Sequence, residues 1–188
     1  MLGGSLLRRF YADLNANGYV GFHQLLEAKD FDSFQHRRRL ILVAVRKDVH
    51  ATLGDFAFPT AMTPARPAKT ALTPLPLFRG TVVPLSSYRP LDVPLHYQSG
   101  LIKLGTVSPH SRGTDVYSEH GLVPTQRTTG QGVAGPTGLV MRSGVVTVVT
   151  AAESQAAQQL PEHLVLDQVL IGNAIPLGLL LHLGISLR

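Results

Sequence analysis

The chain has 188 residues, of which 44% are hydrophobic and 15% charged, with a formal charge of +5 and a pI near 9.9. This length suits one full domain or two small ones, and the apolar share argues against disorder. Cysteine is absent, which excludes disulfides, cysteine-ligated zinc and any cysteine nucleophile from these residues, and no run is long and apolar enough to span a membrane.

The apolar start from Met1 to Leu7 is cut short by Arg8 and Arg9, so it does not read as a secretory signal. Ser5 can cap a helix that carries Leu6, Leu7, Phe10 and Leu14 on one face and closes near Gly18. A short strand is expected over 19–22. Leu40 to Val45 is a continuous, partly β-branched apolar run, expected as a buried strand of an α/β sheet. Three arginines, Arg37, Arg38 and Arg39, stand directly before it. An arginine there can fork onto a phosphate or a base edge, but three in a row also suit a solvated strand end.

Residues 59–94 hold 8 of the 13 prolines, so an extended or looped course is expected, anchored by Leu72, Leu75, Leu77, Val82, Val83 and Leu85. Between Phe56 and Thr114 the only acid is Asp92, against Arg66, Lys69, Arg79, Arg89, Lys103 and Arg112. Such a segment could follow a phosphate backbone, or could be a solvated basic face. Residues 100–144 hold 9 of the 18 glycines, and short strands are expected over 101–104, 115–117 and 139–141. The run from Ala174 fits a buried helix with Pro176 in its first turn.

Chemistry-bearing patterns are sparse. The eight histidines include no His-x-x-x-His pair, so no protein metal site is expected. The dispersed carboxylates offer no acid/base couple. Gly130, Gly132 and Gly135 have the spacing of a dinucleotide fingerprint, but Pro136 and Gly138 follow instead of a helix. A recognition loop whose backbone approaches a ligand closely fits better. From residue chemistry alone this is a basic α/β protein with a possible nucleic-acid partner.

Four blocks in order resemble the C-terminal half of the DNA cytosine-5 methyltransferases. The first runs from Leu14-Asn-Ala-Asn-Gly through Leu26-Glu-Ala-Lys-Asp-Phe to Gln35-His-Arg-Arg-Arg, similar to the family's Gln-x-Arg-x-Arg before a sheet strand. The family's preceding Gly-Val-Pro is here Asp32-Ser-Phe, a departure. The second runs from Lys103-Leu-Gly-Thr-Val through Thr114-Asp-Val-Tyr-Ser to a glycine-rich loop closing on Pro136-Thr-Gly, and looks like the target-recognition region. The third, Val149 to Glu162, keeps Thr150, Glu153 and Pro161 of the family's motif but has Ala152 and Ala156 where the family has arginines. The last is Ile171-Gly-Asn-Ala-Ile-Pro.

The resemblance implies an α/β fold, the C-terminal part of a methyltransferase Rossmann-like sheet plus a small, mostly β target-recognition domain. It implies residues 1–58 as the end of the catalytic domain, 59–145 as the target-recognition domain and 146–188 as a segment returning to the catalytic domain. It further implies a DNA (cytosine-5-)-methyltransferase that flips its target cytosine and belongs to DNA methylation or restriction-modification. Arg37 and Arg39 would orient the cytosine. Gln35, Thr125, Gln126, Arg127, Thr128, Thr129, Gly130 and Gly132 would touch DNA, and Asn173 would touch S-adenosylmethionine. The family's Phe-x-Gly-x-Gly loop and Pro-Cys-Gln nucleophile are absent. The implied partners are therefore double-stranded DNA and a complementary half bearing both motifs, in the cytoplasm at the nucleoid, with no membrane. Two alternatives are a non-catalytic, sequence-specific DNA-binding module and a degenerate remnant. If the first half is a separate partner, this chain alone should expose a large apolar face, because Leu40–Val45 and the last helix are too apolar to be solvated.

Overall fold

The computed structural model describes residues 3–61, 67–107, 114–125, 135, 137–164 and 166–186. Two sheets organise them. The first is an antiparallel pair, β1 (Tyr19–Glu27) and β2 (Arg38–Arg46), in register from Tyr19 opposite Arg46 to Glu27 opposite Arg38. Helix α1 (Gly3–Ala16) lies on one face of this pair. Gly21 permits that contact, since a Cβ there would come within 2.4 Å of the Tyr11 ring. Ser5 therefore sits inside the helix, not at its cap. Leu7, Tyr11 and Leu14 are half-buried, while Leu6 and Phe10 are exposed. The chain turns at Gly18, whose φ of 84° suits glycine.

The opposite face of the pair carries a second layer. Leu26 and Phe31 pack with Leu179 and Leu183 of α5 (Leu177–Ser186), and Ile41 and Phe58 adjoin this cluster. The short helix α2 (Lys47–Leu53) follows β2, and the rings of Phe22, His50, Phe56 and Phe58 stack beyond it. The layout is a sheet with helices on both faces.

The second sheet has six strands in the order β3-β8-β7-β6-β5-β4. They are β3 (Val82–Val83), β4 (Tyr88–His96), β5 (Ile102–Val107), β6 (Asp115–Ser118), β7 (Leu139–Arg142) and β8 (Val145–Val148). The expected strands are thus present, slightly longer than anticipated. All neighbours are antiparallel except β6 and β7. Pro90 and Pro94 fall on β4, an edge strand, where a missing amide donor is tolerated. Ser143 and Gly144, at φ 48° and 81°, make the two-residue hairpin turn between β7 and β8. Val83, Val107, Val116, Leu139 and Val146 form the core of this sheet.

Helices α3 (Ala151–Ala157) and α4 (Gln168–Asn173) precede α5. The helix expected from residue 174 starts later, at Leu177. Proline disfavours helical backbone in the residue before it, so Pro176 separates α4 from α5 instead of lying within a turn. Two sequence expectations about burial need correction. Exposure alternates along β2, with Leu40 and Leu42 open to solvent, because α1 covers their face only in part. On α5, Leu180 and Leu181 are likewise exposed.

Candidate nucleic-acid interface

The two sheets meet at the segment 33–39. A parallel β-bridge joins Gln35 to Val123: the Val123 amide donates to the Phe34 carbonyl at 2.9 Å, and the His36 amide donates to the Val123 carbonyl at 3.0 Å. The Phe34 amide also donates to the Ala157 carbonyl at 3.2 Å. On the other side, the Ala28 amide donates to the Arg37 carbonyl at 2.9 Å. The parallel connection from β6 to β7 must travel back along the sheet. Leu122 and Val123, within it, are buried and fixed here.

Gln35 is fully buried, and its Nε2 donates to the Pro124 carbonyl at 3.4 Å. The Thr125 hydroxyl donates to the His36 carbonyl. Arg37 is also fully buried. Burial lowers its guanidinium to about 10, and the neighbouring Arg39 charge adds to this, yet it stays cationic at neutral pH. Arg39 is half-exposed and donates to the Arg38 carbonyl at 2.9 Å. Burial lowers the His36 imidazole as well.

The structure thus brings Gln35 and Thr125 together at the root of the glycine-rich loop, with Arg37 buried two residues beyond Gln35. Gln126, Arg127, Thr128, Thr129, Gly130 and Gly132 lie outside the described residues. Asn173 is exposed at the C-terminal end of α4, and none of the hydrogen bonds that fix Gln35 or Arg37 in place involves it. Alongside, an open groove of about 700 Å³ is lined by Glu27, Lys29, Asp30, His36, Arg38 and Tyr97. Its Lys29 is tied to Asp30 at 2.6 Å and to Glu27 at 3.5 Å, so the charge there is mixed. Of the basic middle segment, Lys103 pairs with Asp115 at 2.7 Å, whereas Arg79 and Arg89 are exposed and donate only to nearby carbonyls. Those two remain open to a phosphate.

A second set of residues ties the end of β7 to α3; the sequence singled out two of them, Thr150 and Glu153, but not their partners. Thr150 and Glu153 form a capping box at the start of α3. The buried Glu153 carboxylate also accepts from Arg142 Nη1 at 2.6 Å and from the Thr73 amide at 2.8 Å. Arg142 in turn lies 4.4 Å from the centre of the Phe78 ring. Burial alone would raise the Glu153 carboxyl, but Arg142 and the amides of Thr150 and Thr73 hold it below the usual range. The Thr-x-x-Glu spacing was visible in the sequence; the arginine partner, eleven residues earlier on another element, carried no signal.

The described residues do not by themselves fit S-adenosylmethionine: Asn173 is exposed and does not line the groove beside His36. A glycine-rich cofactor loop is absent from the sequence.

The family model for C-5 cytosine-specific DNA methylase matches residues 3–79. No curated protein matches the sequence. Among solved structures, the chain is similar to the S. pombe Dnmt2 methyltransferase, with a TM-score of 0.59 and 14% identity, over 98% of this chain and 60% of that one. It is similar also to the Entamoeba histolytica methyltransferase EhMeth, with a TM-score of 0.60 and 12% identity, over 98% of this chain and 59% of that one. This chain therefore spans about 60% of the length of the solved methyltransferases it matches. Residues 3–79 thus resemble the C-5 cytosine-specific DNA methylase domain, and the chain as a whole shares the Rossmann-like fold of the solved methyltransferases.

Proposed function

We propose that the chain is the DNA-recognition half of a DNA (cytosine-5-)-methyltransferase. It acts on double-stranded DNA and transfers methyl groups only when joined by a segment that carries the cysteine nucleophile. The observation that supports this most is the clamp between Gln35 and Val123. It ties the Gln-x-Arg-x-Arg segment to the root of the 126–134 loop, so a flipped base and the loop that selects it would share one frame.

Enzymes of this class extrude the target base, at a cost of a few kcal/mol in stacking and pairing. Arg37 and Arg39 border the receiving pocket, and Arg39, the more exposed of the two, orients the cytosine and its phosphate. Thr125, Gln126, Arg127, Thr128, Thr129, Gly130 and Gly132 enter the major groove, where a bidentate pair discriminates bases by roughly 1–3 kcal/mol. Arg79 and Arg89 set position through phosphates. S-adenosylmethionine supplies the methyl group and is held by the cysteine-bearing segment, with Asn173 at its rim. With no cysteine, these 188 residues cannot attack cytosine C6 on their own. The activity belongs at the nucleoid, in DNA methylation or restriction-modification.

The test is methyl transfer from labelled S-adenosylmethionine to duplex DNA. Neither the chain nor its cysteine-bearing counterpart should act alone, and the mixture should. Duplex binding by the chain alone should weaken steeply with salt, as expected for released counterions. Binding that shows no preference among duplex sequences would refute the recognition role. Sequence-selective binding without any transfer by the mixture would favour a binding module that has shed catalysis.

A further inference from the structure

Three non-glycine residues among those described have left-handed backbone: Asp32, Ser143 and Gln159, at φ 66°, 48° and 58°. Ser143 lies in a hairpin turn, where such backbone is ordinary. The other two end helical turns. Asp32 closes the 3-10 turn over 28–31, and Gln159 follows the last turn of α3. Glycine fills such positions most easily. A larger side chain stays there only when its surroundings hold it. Here the two residues hold each other: Gln159 Nε2 donates to Asp32 Oδ2 at 3.1 Å, across 127 residues of chain. The resemblance to the cytosine-5 methyltransferases sets Asp32 against the glycine of Gly-Val-Pro and Gln159 against the glycine of Gly-Phe-Pro. Two positions of free backbone have become one bonded pair.

The bond sits at the start of a seam that leads into the site. Ser33 Oγ and the Phe34 amide both donate to the Ala157 carbonyl, at 3.1 and 3.2 Å, and the Gln35 amide donates to Ser33 Oγ at 3.2 Å. Residues 34–36 then bond to Val123, Pro124 and Thr125. The root of the glycine-rich loop is therefore carried by the segment 32–36, and that segment is carried by the end of α3. Helix α5 closes the pair from behind. A Cβ on Gly178 would lie 2.0 Å from the Phe31 carbonyl oxygen and 2.8 Å from Gln159 Oε1, so the first turn of α5 rests against both turns.

We infer that Asp32 and Gln159 are positioning residues for base recognition: their bond fixes the segment 32–36 on α3 and so sets where the loop's root stands relative to the DNA. This rests on the function proposed above. Neither side chain needs to touch DNA. The pair acts on the discrimination between sequences, which depends on loop placement, and not on the salt-dependent attraction to phosphate, which depends on exposed arginines elsewhere.

The experiment selects a randomised duplex pool on the full parent chain. It then measures binding to the enriched duplex and to random-sequence duplex. Gln159→Glu sets two carboxylates against each other. Asp32→Asn combined with Gln159→Glu restores a bond with donor and acceptor reversed. Gln159→Gly removes the side chain while easing the backbone, and serves if Gln159→Glu does not fold. The expected preference for the enriched duplex falls roughly tenfold in Gln159→Glu and Gln159→Gly, the scale of one lost base contact. It returns in the reversed pair, and binding to random-sequence duplex stays within about twofold throughout. An unchanged preference in both single variants would overturn the positioning role while leaving the proposed function intact. A fall in both binding constants together with a lower melting point would also overturn it, because the bond would then be a structural tie alone. A parent chain that enriches no duplex would bring down the recognition function and this role together.

Discussion

The two sheets of this chain differ in how their edges are treated. The six-stranded sheet ends in β3, only two residues long, and β4, which carries Pro90 and Pro94. Both devices discourage further pairing. Its core valines and Leu139 are almost completely buried. The two-stranded sheet ends on one side in nine residues of β2 with no such device, and it leaves Leu25, Leu40 and Leu42 exposed. A sheet that protects its edges has all the partners it needs. A sheet that does not keeps an edge open to further pairing. The contrast separates a sheet whose edges are protected from one whose edge and apolar face are open.

The comparison breaks most directly at Arg142. Replacing it with Met leaves the Glu153 carboxylate buried beside Thr73 with its charge unmatched. Loss of one partner from a buried pair costs about 3–5 kcal/mol. Urea unfolding of Arg142→Met should show that loss, and amide exchange should quicken in β7, β8 and α3 before β1 and β2. A loss below about 1 kcal/mol would mean the sheet is finished by its valines alone, without this pair.

The next largest effect lies where the last helix meets the two-stranded sheet. A Cβ on Gly178 would fall 2.0 Å from the Phe31 carbonyl oxygen, which is backbone and cannot step aside cheaply. Gly178→Ala should cost about 1–3 kcal/mol, the usual range for overpacking. The loss should appear as weaker packing of Phe31 against His182, whose rings are 5.5 Å apart. An unchanged melting curve would show that α5 is not fixed to this turn.

Local rules carried much of the fold. Alternation and glycine spacing located β5, β6 and β7, and the apolar run located β2. Proline density kept 59–94 out of any α-helix among the described residues, though it did not signal the three short 3-10 turns there, and β4 follows as an edge strand. What sequence could not supply was pairing at a distance. The Gln35–Val123 bridge joins positions 88 residues apart (123 − 35), and nothing in either segment advertises it. The same holds for Arg142 and Glu153. Ser5 misled because capping preference is a local signal, and α1 is already helical at Gly3. Leu40–Val45 was legible as a strand but not in its burial: the run is apolar throughout, whereas the described residues supply only one neighbouring strand, so its exposure alternates. For the site, the Gln-x-Arg-x-Arg pattern identified the right segment, but not that Gln35 and Arg37 turn inward while Arg39 is half-exposed.

Acid should act on the six-stranded sheet more than on the two-stranded one. The folded-state value of Glu153 is depressed, so its contribution is complete above the unfolded-state value near 4.5 and is lost as pH falls through the lower folded value. Melting followed from pH 6 downward, a range of about two to three pKa units around ordinary carboxylates, should therefore be steeper for the parent than for Glu153→Gln, which has no carboxylate to protonate. Equal slopes would assign the acid sensitivity to other carboxylates.

The smallest effect is the most diagnostic of the comparison. In the chain alone, Leu42→Lys should change stability by no more than about 0.5 kcal/mol, as for ordinary surface positions. Leu42 is 44% exposed, so a lysine stem can lie along the apolar surface beside α1 with its ammonium in water. The same substitution at Leu139, which is 0% exposed in the six-stranded sheet, has no such escape and should unfold the protein. The two leucines are chemically identical and both lie on strands; only the completeness of their sheets separates them. A loss at Leu42 of more than about 2 kcal/mol, on the scale of a core truncation, would mean that β2 is already covered in solution by the chain itself or by another copy of it. The division between a sheet with protected edges and one with an open edge would then fail.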